Sequence, residues 1–235
     1  CVLIACSNAQ NVSERSLACK ENSLGIERIL QVTPQSPPVK ELLNEKEVVL
    51  TFDDGPEKSR TLDVLNILDA ECTRASFFLL GVNAEKNPEL AREIVRRGHT
   101  IGGHSYDHIN YRDLDVEAAL EDADRGNQAV SEALEGMPVR MFRFPYIAMN
   151  PEQSAAIRAR GLSEIGVDVD GADWTKISAQ ESVDLIMARL EADERRGVIL
   201  LHDTFRSSDN RTRLLLRQLK AENYKVVVLA PDSVF

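Results

Sequence analysis

Cysteine, aromatic residues and long apolar runs are all scarce in this chain of 235 residues. Its four cysteines form no CxxC pair, which excludes a cysteine zinc cluster as the organising element. Aromatics make up 5% of the residues, with one tryptophan, so few platforms exist for stacking on a long ligand. No apolar run approaches the ~20 residues that a bilayer-spanning helix needs. Positive charge is also in deficit: 28 Lys and Arg stand against 38 Asp and Glu, a net charge of −10. That balance argues against a nucleic-acid backbone or an anionic membrane surface as partner. No internal repeat is present. What remains, 43% hydrophobic and 28% charged, is the composition of an ordinary globular protein of one medium domain, with or without a short arm.

The N-terminal end differs from the rest. The opening CVLIACSNAQ resembles the end of a bacterial lipoprotein signal peptide, with Leu3-Ile4-Ala5-Cys6 as its lipobox and Cys6 as the lipidated residue. No initiating Met or basic leader precedes it, so residues 1–6 are read as the remnant of such a signal. Residues 7–45 are polar and contain the Pro-rich passage Thr33–Pro38, the composition of a tether or loosely packed arm. Leu24, Ile26, Ile29 and Leu30 point to part of it packing on the body, residues 46–235. In an exported protein a disulfide such as Cys19 with Cys72 is allowed, but sequence does not select the pairing.

From Glu47 the chain alternates between strand and helix patterns. Strands are expected at Val48–Phe52, Arg74–Leu80, His99–Gly103, Val139–Phe144, Glu164–Val169, Val198–His202 and Lys225–Leu229. Between them come helices at Ser59–Glu71, Pro88–Arg97, Val116–Leu134, Pro151–Arg160, Ser182–Glu194 and Thr212–Ala221, two of them ended by Gly98 and Gly136. Alternation of this kind implies an α/β fold with about seven parallel strands. Periodicity alone leaves a doubly wound open sheet and a closed or partly open barrel equally allowed.

The reactive residues fall at the C-terminal ends of those strands. Asp53 and Asp54 close the first, before the Gly55-Pro56 turn. His104 and His108 follow the third, Arg143 and Tyr146 close the fourth, Asp170, Asp173 and Trp174 follow the fifth, and His202 closes the sixth. Each has a plain structural explanation alone: a carboxylate after a strand is commonly a helix cap, and two histidines four apart share a face of any helical turn. Loops after parallel strands gather on one face, however, so these groups should converge. One carboxylate with two imidazoles suits a divalent metal with open positions, and a second carboxylate, a distant His and an Arg supply base, acid and orienting charge.

TFDDGP, HSYDH, RFPY, DGADW and Leu200-Leu201-His202, in that order, resemble the five motifs of the polysaccharide deacetylase family, carbohydrate esterase family four. The resemblance runs from about Glu47 to Leu229. It implies a distorted, incomplete (β/α) barrel. It also implies that Asp54, His104 and His108 hold a divalent metal, Zn²⁺ before Co²⁺ or Ni²⁺. Asp53 would then be the general base oriented by Arg143, and His202 the general acid kept protonated by Asp173. The backbone N–H of Tyr146 would serve the oxyanion, Trp174 and Leu200 would wall the acetyl methyl, and Asp170 would be structural. The family often has Gly after the Tyr of the third motif; Ile147 stands here, which restricts the backbone and narrows the sugar cleft.

The expected activity is removal of acetyl groups from N-acetylated amino sugars of a chitin-like or peptidoglycan-like glycan. The expected protein is an exported monomer of the cell envelope, membrane-attached through lipid on Cys6. Three rivals remain. The same site could cleave O-acetyl esters on acetylated xylan, or bind glycan without turnover. A phospho-receiver domain would share only Asp53 and Asp54.

Overall fold

The structure is a computed structural model and describes residues 23–232. Its elements run Arg28–Val32 (β1), Glu47–Asp53 (β2), Arg60–Ala70 (α1), Ser76–Leu79 (β3), Gly81–Lys86 (α2), Pro88–Arg96 (α3), Thr100–Gly103 (β4) and Val116–Ala133 (α4). Met141–Phe142 (β5), Pro151–Ala159 (α5), Ser163–Glu164 (β6), Val169–Asp170 (β7), Ala179–Ala192 (α6), Gly197–His202 (β8), Ser208–Ala221 (α7) and Lys225–Pro231 (β9) complete them. Every strand pairing is parallel. The strands line up as β7-β8-β2-β3-β4-β5-β6, with β9 against the first two residues of β2 and β1 outside β9. β6 and β7 do not pair, so the sheet stays unclosed, as an incomplete (β/α) barrel requires.

β2 is central and buried at all seven positions. Its two faces do different things, because successive side chains alternate across a strand. Val48, Leu50 and Phe52 join the main apolar cluster under α1, α6 and α7. Val49 joins a smaller inner cluster, while Thr51 and Asp53, on that same inner face, meet the guanidinium of Arg143. β8 alternates likewise: Ile199 and Leu201 pack outward, and Val198, Leu200 and His202 face inward.

Several elements depart from the sequence expectation: α2 was not foreseen, β5 keeps only Met141–Phe142 of the strand expected at Val139–Phe144, α7 begins at Ser208 rather than Thr212, and three more departures have a visible cause. The single strand expected at Glu164–Val169 is two two-residue strands on opposite edges of the gap, β6 on β5 and β7 on β8. The reason is that Ile165 and Gly166 give their carbonyls to Arg143 rather than to a neighbouring strand. β1 was not foreseen and lies inside the stretch read as a polar arm. It is a half-exposed edge strand whose burial alternates too weakly to register, tied to β2 by Arg28 bonding both carboxylate oxygens of Glu47. That pairing is why Glu47 holds its proton so weakly, its pKa drawn down to about 2. Finally, α6 begins at a Ser178–Glu181 capping box, three residues before the expected start. Cys72 is disulfide-bonded. Cys1, Cys6 and Cys19, with the lipidation expected on Cys6, lie outside the described residues.

α4 approaches the site through Gly126. A Cβ there would lie 2.3 Å from the carbonyl oxygen of Ser105, next to His104. Helix propensity alone favours alanine over glycine by about 1 kcal/mol. Overpacking costs of about 1–3 kcal/mol should outweigh it. Gly126→Ala is therefore expected to lower the denaturant midpoint, with a net loss of up to about 2 kcal/mol. A gain in stability would mean that the 104–108 loop yields freely.

Candidate active site

Asp53 is fixed before any substrate arrives. Arg143 is fully buried, and its Nη1 donates to Asp53 Oδ1 at 2.7 Å and to Thr51 Oγ1 at 2.8 Å. Nε and Nη2 donate to the carbonyls of Ile165 and Gly166 at 3.1 and 3.0 Å. The guanidinium carbon lies 4.2 Å from the centre of the Phe78 ring. Burial acts to lower the Arg143 pKa, with Asp53 opposing it. The pair satisfies the condition under which a buried ion pair is tolerated: each charge has its partner and the remaining donors have acceptors.

Asp54 turns the other way. Its backbone is left-handed (φ 72°), a conformation Asp tolerates better than most residues. Its amide continues the ladder to Phe78, and Asn83 holds its carbonyl at 2.8 Å. The carboxylate then points between two imidazoles, His104 Nε2 at 3.6 Å and His108 Nε2 at 3.4 Å from Oδ1. His104 Nδ1 donates to the carbonyl of Arg143 at 2.8 Å, which leaves Nε2 as a bare acceptor. Burial lowers the His104 pKa and keeps the ring neutral. Asp54 Oδ1 is buried and has no hydrogen-bond partner among the described residues. Acceptors facing one another across such a gap suit a cation between them, and the three residues form an Asp/His/His set able to hold a divalent metal. The pair His104–His108 is not on a helical turn, however. Ser105 and His108 both have positive φ, and Ser105 Oγ takes the His108 N–H, so a tight loop brings the rings together.

His202, on β8 beside Asp53, is held by one carboxylate through two atoms. Its Nδ1–H donates to Asp173 Oδ1 at 2.7 Å and its backbone N–H to Oδ2 at 2.8 Å. Nε2 points at Asp54 Oδ2, 3.8 Å away. Burial pulls the imidazolium down, but the bond and charge of Asp173, with Asp53 and Asp54 behind it, outweigh that and raise its pKa to about 9. Leu200 lies one pleat below on the same face. Asp170 takes the Ala172 N–H at 2.7 Å and the Trp174 indole N–H at 3.4 Å, shaping the loop that carries Asp173. Trp174 itself is 60% exposed.

At the opposite rim, Tyr146 is also exposed and left-handed (φ 57°), its ring edge-on to His108 at 4.4 Å. The turn spends Ile147 N–H on Phe144 and Ala148 N–H on Pro145, and no acceptor among the described residues takes the Tyr146 N–H. Ile147 keeps the left-handed backbone (φ 51°) that glycine adopts without cost, at about 1–2 kcal/mol of strain.

Sequence reasoning missed Thr51, Asn83, Ser105 and Asp203. Asp203 is fully buried against Thr61 Oγ1 and under Gly55, where a Cβ would meet its carboxylate oxygens at 2.7 and 2.8 Å. Burial pushes its pKa up to about 7. Its place beside His202 in the sequence was the one available signal.

The description "polysaccharide deacetylase" belongs to the family model that matches residues 40–165, a span containing Asp53 to Tyr146 and ending before Asp170. The peptidoglycan-N-acetylmuramic acid deacetylase PdaC of Bacillus subtilis is 30% identical over 188 residues, 80% of this chain and 38% of that protein. The chitooligosaccharide deacetylase of Azorhizobium caulinodans is 32% identical over 160 residues, 68% of this chain and 75% of that one. The solved structure of the Bdellovibrio bacteriovorus peptidoglycan deacetylase Bd3279 superposes with a TM-score of 0.81 at 27% identity, covering 96% of this chain and 68% of the other. The chain thus spans less than half the length of PdaC.

Arg143→Leu should destabilise the protein by about 3–5 kcal/mol, because Asp53 is left buried and unpaired. The double variant Arg143→Leu/Asp53→Asn should recover part of that loss in urea denaturation. A double variant no more stable than the single one would mean that water reaches Asp53 when Arg143 is gone.

Proposed function

The chain belongs to the polysaccharide deacetylase family, and on that premise we propose that it hydrolyses the N-acetyl group of amino sugars in a glycan. The observation that carries this reading is the Asp54 oxygen without a hydrogen-bond partner among the described residues, facing two imidazole nitrogens, with Asp53 held by Arg143 on one side and His202 held by Asp173 on the other. In this reading Asp54, His104 and His108 hold a divalent metal, Zn²⁺ before Co²⁺ or Ni²⁺. Such a metal polarises the acetyl carbonyl and eases deprotonation of water.

The chain's own residues divide the remaining work. Asp53 takes a proton from the attacking water, and Arg143 fixes its orientation toward the incoming carbonyl carbon. The Tyr146 N–H, without an acceptor among the described residues, donates to the oxyanion in this reading; a pre-aimed donor of this kind contributes on the order of 3 kcal/mol. His202 Nε2 gives its proton to the sugar nitrogen as the C–N bond breaks, releasing acetate and a free amine. Asp173 keeps His202 protonated and correctly turned. Trp174 and Leu200 supply apolar surface beside it. An acid this well supported favours an amide over an ester substrate, since an amine is the poorer leaving group. Export to the cell envelope, attachment through lipid on Cys6 and action as a monomer belong to the same reading.

Two outcomes are expected. Chelation should abolish acetate release from chitooligosaccharides, and added Zn²⁺ or Co²⁺ should restore it; release indifferent to chelator would remove the metal from the reading. Asp173→Asn should move the alkaline limb of the kcat/KM profile to lower pH than in the parent, by about 1–3 pH units. The sign follows from the raised pKa of His202: the acid is protonated up to about pH 9 with Asp173 in place, and loses its proton earlier without that charge. A profile that stays in place would separate Asp173 from the proton donor.

A further inference from the structure

Past Asp173 the site opens into a second cleft of about 320 Å³, lined among others by Trp174, Lys176, Phe205, Arg206, Ser207 and Arg211. The Phe205 ring centre lies 5.1 Å from that of His202, so the cleft adjoins the proton donor directly. Its chemistry is cationic in a chain of net charge −10.

Arg211 is the central observation. It is 3% exposed, yet its Nε and Nη1 are buried without a hydrogen-bond acceptor among the described residues. Asp173 Oδ2 lies 3.9 Å from Nη1, too far for a hydrogen bond, and both Asp173 oxygens are already engaged by His202. A buried guanidinium has five donors in a planar fork, and leaving them unmatched is costly. The N-terminus of α7 adds to this. Ser207, at the head of the helix, is left-handed (φ 64°), and its side chain caps no amide. The positive end of a fourteen-residue helix therefore meets the cleft uncapped. Lys176 and Arg206 stand exposed at the rim. Asp209, in the first turn of α7, does not line the cleft.

We propose that this cleft is a carboxylate subsite, in which Arg211, with Lys176 and Arg206 at the rim, grips an acidic group on the sugar being deacetylated. The inference rests on the deacetylase reading of the adjoining site and narrows its substrate to a carboxylate-bearing N-acetylated glycan. Muramic acid carries such a group, since its lactyl ether is on the ring carbon next to the one bearing the acetamido group. A carboxylate matches the guanidinium fork in two parallel hydrogen bonds. The same chemistry could come from a peptide attached to the lactyl group, so the two sources need separate arms.

The test uses three forms of one N-acetylglucosamine–N-acetylmuramic acid oligosaccharide: free lactyl carboxylate, carboxyl reduced to the alcohol, and lactyl group in peptide linkage. Binding is measured by calorimetry and turnover by acetate release. The parent protein should bind a carboxylated form about 10- to 100-fold more tightly than the reduced form, with the gap narrowing as salt rises. Arg211→Met should bring the ratio close to one, and Lys176→Ala/Arg206→Ala, confined to the surface, should reduce it without risk to folding. Whichever carboxylated form binds better identifies the source. Equal binding of all three forms by the parent, or a ratio untouched by both variants, overturns the subsite. Acetate released equally from all three would do so while leaving the deacetylase reading intact. Selective binding without acetate release would overturn that reading and leave the subsite.

Discussion

The guanidinium of Arg143 is the constraint on which both the fold and the site depend. An unclosed parallel barrel leaves a seam of unpaired carbonyls between its edge strands, and buried carbonyls without donors are costly. Arg143 fills that seam at Ile165 and Gly166, and with its remaining donors it holds Thr51 and Asp53. The gap between β6 and β7 is therefore the space the guanidinium occupies. Taking a charge out of water is expensive, and here the expense is met locally by an opposite charge, three neutral acceptors and the face of Phe78. The same residue's carbonyl fixes the tautomer of His104. One side chain and its own backbone thus set the orientation of the Asp53 carboxylate and of the His104 ring on either side of the Asp53–Asp54 pair.

Around this fixed centre the backbone is strained. Asp54, Ser105, His108, Tyr146 and Ile147 all have positive φ, and all lie on the rim of the site. Such conformations persist only where the surroundings over-determine them. The surroundings here are identifiable: Asn83 on the Asp54 carbonyl, Ser105 Oγ on the His108 amide, and Gly126 allowing α4 to press against the Ser105 carbonyl. The gain is direction. Adjacent residues in an ordinary strand would send Asp53 and Asp54 to opposite faces of the sheet. Turning Asp54 left-handed instead lets the pair serve neighbouring parts of one cavity.

How much of this was legible in the sequence depended on the range of the signal. β2, β8 and the long helices are strong periodic runs, and their ends carried the reactive residues where a parallel sheet must put them. The bounds of the short elements were not legible, though strands were expected at Val139–Phe144 and Glu164–Val169. β5, β6 and β7 are two residues each, too brief for any period, and exist because partners distant in sequence accept them. β1 is written in a half-exposed alternation beside prolines. Arg143, Asp173 and His202 stood out as residue types in place, but the bonds of Arg143 to Ile165, Gly166 and Thr51 connect positions up to 92 apart, those of His202 to Asp173 positions 29 apart, and neither set has a local trace. The positive φ at Ile147 could not be read either, since a branched residue is the least expected occupant of that conformation.

The charges across the site alternate along a line, and the alternation is informative at its end. Asp54 faces His202 at 3.8 Å, His202 is bonded to Asp173 at 2.7 Å, and Asp173 lies 3.9 Å from Arg211. Each inner member has an opposite charge on both sides, which is how a low-dielectric interior keeps several ionised groups together. The two ends are incomplete. At one end Asp54 has a buried oxygen that no donor among the described residues satisfies, and at the other Arg211 has buried nitrogens that no acceptor among them satisfies. An acceptor lacking a donor takes a cation, and a donor lacking an acceptor takes an anion. Charge alone therefore gives the cavity a direction, with a cation suited to one end and an anion to the other, about the imidazole that the carboxylates of Asp54 and Asp173 flank.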